Sequence, residues 1–158
     1  MTNQTKCLAY IILIAGTLDI FLAFLESYLL NNIKPEIVLK FITSGLIGVK
    51  AFEPNKLYII LGLLLHYAIT TIVTLIYIKT NVFSQFKTNN KYLSGIIYGL
   101  CIWLTMNVIV IPLSNTPTLN RSIFEIAISI IIQIVAVGLP IALGYAKYKN
   151  HQLSNVYD

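Results

Sequence analysis

Four stretches, Leu8–Leu30, Leu57–Lys79, Leu93–Leu113 and Ile123–Ala146, are apolar over the length an α-helix needs to cross a ~30 Å hydrocarbon layer. Each is interrupted by polar or small residues at three- and four-residue spacing, which collects them on one helix face. In the first span the face is Gly16, Asp19, Ala23 and Glu26, and in the second Gly62, His66, Thr70 and Thr74. The third aligns Gly99, Trp103 and Asn107, and the fourth Ser129 and Gln133. A spanning helix turns such a stripe toward other helices and its aliphatic sides toward lipid. The pattern predicts an all-α membrane protein, a four-helix bundle occupying residues 1–158 as a single domain.

Depth gives the stripes a second meaning. At about 1.5 Å per residue from the inner end of each span, Asp19 lies ~17 Å in, His66 and Gln133 ~20 Å, and Asn107 ~21 Å. Each span thus brings one hydrogen-bonding side chain to nearly the same height. A carboxylate held there faces protein, water or a ligand rather than lipid. Asp19 can accept a hydrogen bond from His66 or pair with its protonated form, with Asn107 and Gln133 satisfying what remains. The same residue types also serve as interhelical hydrogen-bond glue, worth around 1 kcal/mol or less each. Glu26 lies nearer the outer surface, within snorkelling reach of it.

The connections differ in kind. Met1–Lys6 reads as a polar lead-in without structure of its own. Asn31–Lys56 is the longest connection and holds a greasy run, Ile37–Phe52, that is too short to span. Pro35 suits its helical start and Gly45 or Gly48 its end. This predicts a short interfacial or re-entrant helix between the first two spans, with Lys40 and Lys50 reaching toward headgroups and the segment serving as a lid or entrance. Thr80–Tyr92 is a polar loop. Gly95 and Gly99 form a G-x-x-x-G pair that permits close helix approach. Pro112 ends the third span, and Ser122 with Glu125 has the form of a capping box that starts the fourth. Gly138 and Pro140 predict a kink in it. Tyr28, Tyr58 and Phe124 mark one interface, and Tyr77, Tyr92, Tyr145 and Tyr148 the other.

Composition agrees with lipid as the solvent. The chain has 158 residues, 57% hydrophobic and 11% charged, and its mean hydropathy is +0.79. Soluble domains hold roughly a quarter charged residues. The net charge of +5 is scattered over the connections and makes no stripe for a nucleic acid. With four spans, Lys6, Lys79, Lys87, Lys91, Lys147 and Lys149 share one side, and Lys34, Lys40, Lys50, Lys56 and Arg121 the other. That slight excess places both termini in the cytoplasm. The first span is too long for a signal h-region and no A-x-A-like site follows it. Cys7 and Cys101 lack a C-x-x-C partner and read as apolar packing residues. The two histidines, His66 and His151, lie at different depths and make no haem pair. Metalloprotease, hydrolase, Walker and dinucleotide motifs do not occur. No metal and no cofactor is expected.

Gly16–Asp19, Ser44–Gly48 with Ala51–Phe52, Leu61–His66 and Tyr98–Asn107 continuing to Pro112–Ser114 together resemble a family of uncharacterised small bacterial inner-membrane proteins with four predicted spans. The resemblance implies a bacterial inner-membrane location and the four-span architecture, and no catalytic residues. Two functions fit the residues. One is a small carrier or binding protein that handles a proton or a small polar solute through Asp19, His66, Asn107 and Gln133. The other is a non-catalytic interaction or assembly protein, alone or as a homo-oligomer, whose polar layer only specifies packing. An intramembrane enzyme is the third reading, and it lacks a nucleophile–base pair or a metal set.

Overall fold

A computed structural model describes residues 3–80, 90–118 and 120–157, with side chains described between residues 5 and 149. The described residues are mostly helical, with no strand among them. Helix α1 spans Asn3–Asn31, α2 Pro35–Ile47 and α3 Lys56–Thr80, and a 3₁₀ turn at Gly48–Phe52 joins the last two. The third span consists of α4 (Lys91–Leu104), a π-helical segment (Thr105–Val110) and α5 (Ile111–Leu113). The fourth consists of α6 (Ile123–Ile132), a second π segment (Gln133–Gly138) and α7 (Leu139–Tyr157). Among the described residues four helices are long and apolar enough to cross a membrane: Thr5–Asn31, Lys56–Thr80, Lys91–Leu113 and Ile123–Lys149. Most of the expected polar loop, residues 81–89 with Lys87, lies outside the described residues.

Local chemistry sets the boundaries. Pro35 occupies the first turn of α2, where a missing N–H loses nothing, and Gly48 caps its end at φ 66°. The Asn90 side chain accepts from the Tyr92 and Leu93 N–H groups and starts α4. The capping box forms as expected, with Ser122 Oγ accepting from Glu125 N–H and the Glu125 carboxylate from Ser122 N–H. Replacing Ser122 by alanine removes half of that exchange. The thermal midpoint should fall by a few degrees, corresponding to about 1 kcal/mol, and an unchanged midpoint in a melting experiment would refute a stabilising box. At the other end of the chain, the lead-in expected to lack structure is helical from Asn3 to Lys6, Met1 and Thr2 lying outside the described residues. Once a long helix is nucleated, extension through Gln, Thr and Lys adds one hydrogen bond per residue ordered.

Close backbone approach holds the bundle. A Cβ on Gly138 would run into the Gly95 carbonyl oxygen and the Gly99 backbone, and one on Gly99 would sit 2.6 Å from Ile134 Cα. The G-x-x-x-G pair of the third span thus packs on a glycine of the fourth. Gly62 does the same for α2 and α3, because a Cβ there would overlap the Leu39 carbonyl. Thr43 Oγ1 donates to the Tyr58 carbonyl at 2.6 Å, and Asn115 bonds the carbonyls of Gly45 and Leu46, so α2 is fastened at both flanks. Lys40 does not extend toward headgroups. It is buried, and its ammonium donates to the Glu53 carbonyl at 2.8 Å and to that of Phe52. The end of the 3₁₀ turn leaves carbonyls without helical donors, and the lysine satisfies them.

Span one packs against spans two and four, and span three against span four. Spans two and three meet chiefly through side chains. Tyr77 Oη lies 2.8 Å from Ser94 Oγ, and the Tyr98 hydroxyl donates to the Val73 carbonyl. The Tyr77 ring stands edge-on to Tyr98 and Tyr145 at 4.8 and 5.7 Å. Tyr77 is 3% exposed and so belongs to the core, not to an interfacial belt. Its apolar ring is packed and its hydroxyl is partnered. With Ile11, Ala15, Ile102, Val137 and Ile141 these tyrosines fill the half of the bundle nearest the chain ends.

The third and fourth spans each contain a π segment. Ile111 N–H bonds the Met106 carbonyl and Leu139 N–H that of Ile134, five residues back in each case. Each segment ends two residues before a proline, Pro112 or Pro140. A proline inside a helix has no N–H to donate, and its ring crowds the carbonyl four residues earlier, so a widened turn relieves both strains. The kink predicted at Gly138 and Pro140 takes this form, and Pro112, expected to end span three, acts in the same way.

Candidate functional site

Between the spans lies a cavity of about 460 Å³. Asp19, His66, Asn107 and Gln133 all line it, one from each span. The floor is the packed tyrosine-rich half of the bundle, and α2 contributes Phe41 and Gly45 to the wall. Ile20, Ile69, Met106 and Ile132 make much of the remaining surface.

The four polar residues are held differently. His66 is 8% exposed, and its Nε2 lies 2.8 Å from the Gly16 carbonyl. A carbonyl only accepts, so Nε2 carries the proton and donates. The imidazole is thereby tied to α1 one turn before Asp19, and no Asp19–His66 hydrogen bond forms. The expected pair gives way because the Gly16 carbonyl is reached first where α1 and α3 come close. Thr17 Oγ1 and Tyr67 Oη, 2.9 Å apart, reinforce the same crossing. Asn107 donates from Nδ2 to the Trp103 carbonyl at 3.0 Å, a bond within its own helix. Gln133 opens the second π segment and is half-buried. Neither Gln133 nor Asp19 has a hydrogen bond or ion pair among the described residues, and Asp19 is half-buried in the cavity wall.

Arg121, which the spacing argument left aside, also lines the cavity, as does Trp103 from the stripe of the third span. Arg121, the chain's only arginine, bonds Glu26 at 3.1 Å from the start of span four. Glu26 is therefore ion-paired inside the protein instead of snorkelling outward, with its side chain 12% exposed. The lone arginine beside a span boundary was the available signal. Trp103, the only tryptophan, donates Nε1–H to Ser129 Oγ at 2.9 Å, which fixes the indole across spans three and four.

The arrangement offers a free carboxylate, a free amide and a paired acid–base couple in a mostly apolar enclosure. Among the described residues no hydroxyl or thiol is hydrogen-bonded to the His66 imidazole, whose Nε2–H goes to the Gly16 carbonyl. Among the described residues no three His, Cys, Asp or Glu side chains converge as a metal set. Comparison of the chain with protein families, with curated proteins and with solved structures found no match.

Proposed function

We propose that the protein is a small membrane-embedded binding or carrier protein, its ligand site being the cavity between the four spans. The observation that carries this reading is Asp19, a half-buried carboxylate lining a 460 Å³ cavity without a bond to any described residue. A carboxylate kept for packing alone gains its place through hydrogen bonds, and one left unpaired at such depth is costly. Pockets of this volume with apolar walls and a few convergent polar groups are the usual form of small-molecule sites. In this reading α2 is the interfacial or re-entrant element of the fold and covers part of the site. The location is the bacterial inner membrane with both termini cytoplasmic, in keeping with the family resemblance.

Asn107 and Ser129 favour the other reading, a polar layer that specifies packing, because both bond within the bundle. Asp19 separates the two. In lipid nanodiscs a water-soluble carbodiimide should modify Asp19, resolved from Glu26 by peptide mass spectrometry. An Asp19 that stays unmodified under conditions that modify exposed carboxylates would mean a sealed, packing-only layer.

A further inference from the structure

The charge balance of the cavity wall is one-sided. With Asp19 and Glu26 ionised, the two against Arg121 leave one net negative charge among the side chains that line it, and Arg121 is already spent on Glu26 at 3.1 Å. His66 donates to the Gly16 carbonyl. Lys40 of α2 directs its ammonium to the Phe52 and Glu53 carbonyls and does not line the cavity. An anion entering the site would meet no free counter-charge among the described lining residues, whereas a cation would meet Asp19 in surroundings where water screens the attraction poorly.

The walls set the rest of the ligand. Ile20, Phe41, Ile69, Trp103, Met106 and Ile132 present aliphatic and aromatic surface on several sides. A proton requires no enclosure of about 460 Å³. A hydrated inorganic ion would leave the apolar walls unfilled and would exchange its waters for one carboxylate. A cation that carries its own apolar groups satisfies both parts of the site, and aromatic faces add to its binding. The amide of Gln133, free of hydrogen bonds among the described residues, supplies a polar contact beside the charge.

We propose that the cavity binds a hydrophobic organic cation, its charge at Asp19 and its apolar substituents against Ile20, Ile69, Met106 and Ile132. This rests on the reading of the cavity as a ligand site.

The test uses the full chain in nanodiscs with two probes of one shape and opposite charge, tetraphenylphosphonium and tetraphenylborate, measured against empty nanodiscs. The cation should bind above background and shield Asp19 from carbodiimide, while the borate should do neither. Asp19→Asn should weaken cation binding about 30-fold or more. Ile69→Trp, which fills the cavity without touching its charge, should also weaken it, and the protection of wild-type Asp19 decides the matter should either variant fail to fold. Equal binding of the borate, or cation binding untouched by Asp19→Asn, would overturn the ligand class. So would a modifiable Asp19 that the cation does not shield, and that result would leave the ligand-site reading standing. An Asp19 that never reacts would remove the ligand site and this assignment together.

Discussion

Gly138→Ala is expected to lower stability by about 3 kcal/mol, seen as a fall in thermal midpoint on the order of 10 °C in detergent or nanodiscs. The added methyl would meet the Gly95 carbonyl oxygen and the Gly99 N and Cα atoms, all of them backbone. A flexible side chain can swing aside, but two helix backbones can only move apart. Separation of spans three and four would also strain the Trp103–Ser129 bond, so tryptophan emission should shift in parallel. Gly45→Ala makes the same chemical change where the new Cβ would lie 3.5 Å from Thr116 Oγ1, an ordinary contact. That variant should match or slightly exceed the wild type, since alanine favours the helix. Equal behaviour of the two variants would refute close packing at Gly138.

Arg121→Gln should cost about 1–3 kcal/mol, between the values for exposed and buried pairs, because the partners are 29% and 12% exposed. It leaves Glu26 with its charge and without its counter-charge in the cavity wall. The paired exchange Glu26→Arg with Arg121→Glu should recover most of the loss, and a double-mutant cycle from thermal unfolding would measure the coupling. A coupling near zero would mean that the two side chains meet without stabilising the bundle. The pair ties the upper part of α1 to the start of span four, next to the Asn31–Glu125 hydrogen bond at 2.8 Å. Its loss should therefore loosen that end of the bundle first, which hydrogen exchange in α1 can follow.

The spans were legible because their signal is length and hydropathy, properties that do not depend on neighbours. So were the capping box at Ser122 and the proline start of α2, since both are written within a few residues. The partners of polar side chains were harder to read. The sequence brings Asp19 and His66 to one level, but which acceptor the imidazole takes depends on how closely α1 and α3 cross. That crossing favours the Gly16 carbonyl. Lys40 looked like a headgroup contact because basic residues in greasy helices snorkel. The carbonyls of Phe52 and Glu53, displayed by a 3₁₀ turn not foreseen from the sequence, hold it inside instead. Tyr77 was misplaced for a related reason: a tyrosine near a span end suits an interface or a core equally until its partner, Ser94, is known.

The widened turns before Pro112 and Pro140 also bear on how this chain would line up with a relative whose spans are regular α-helices. A π turn holds one residue more than the α turn it replaces. Deleting one residue within Thr105–Val110 or Gln133–Gly138 would close the widened turn to an α turn and keep the faces of its two flanks, whereas a deletion elsewhere in the span would rotate one flank against the other by about 100°. A gap-free alignment through these segments would keep the apolar count of each span and misassign its faces, so Asn107 and Gln133 would be matched to residues that point elsewhere. A single-residue gap at each proline-preceding turn restores the correspondence of faces.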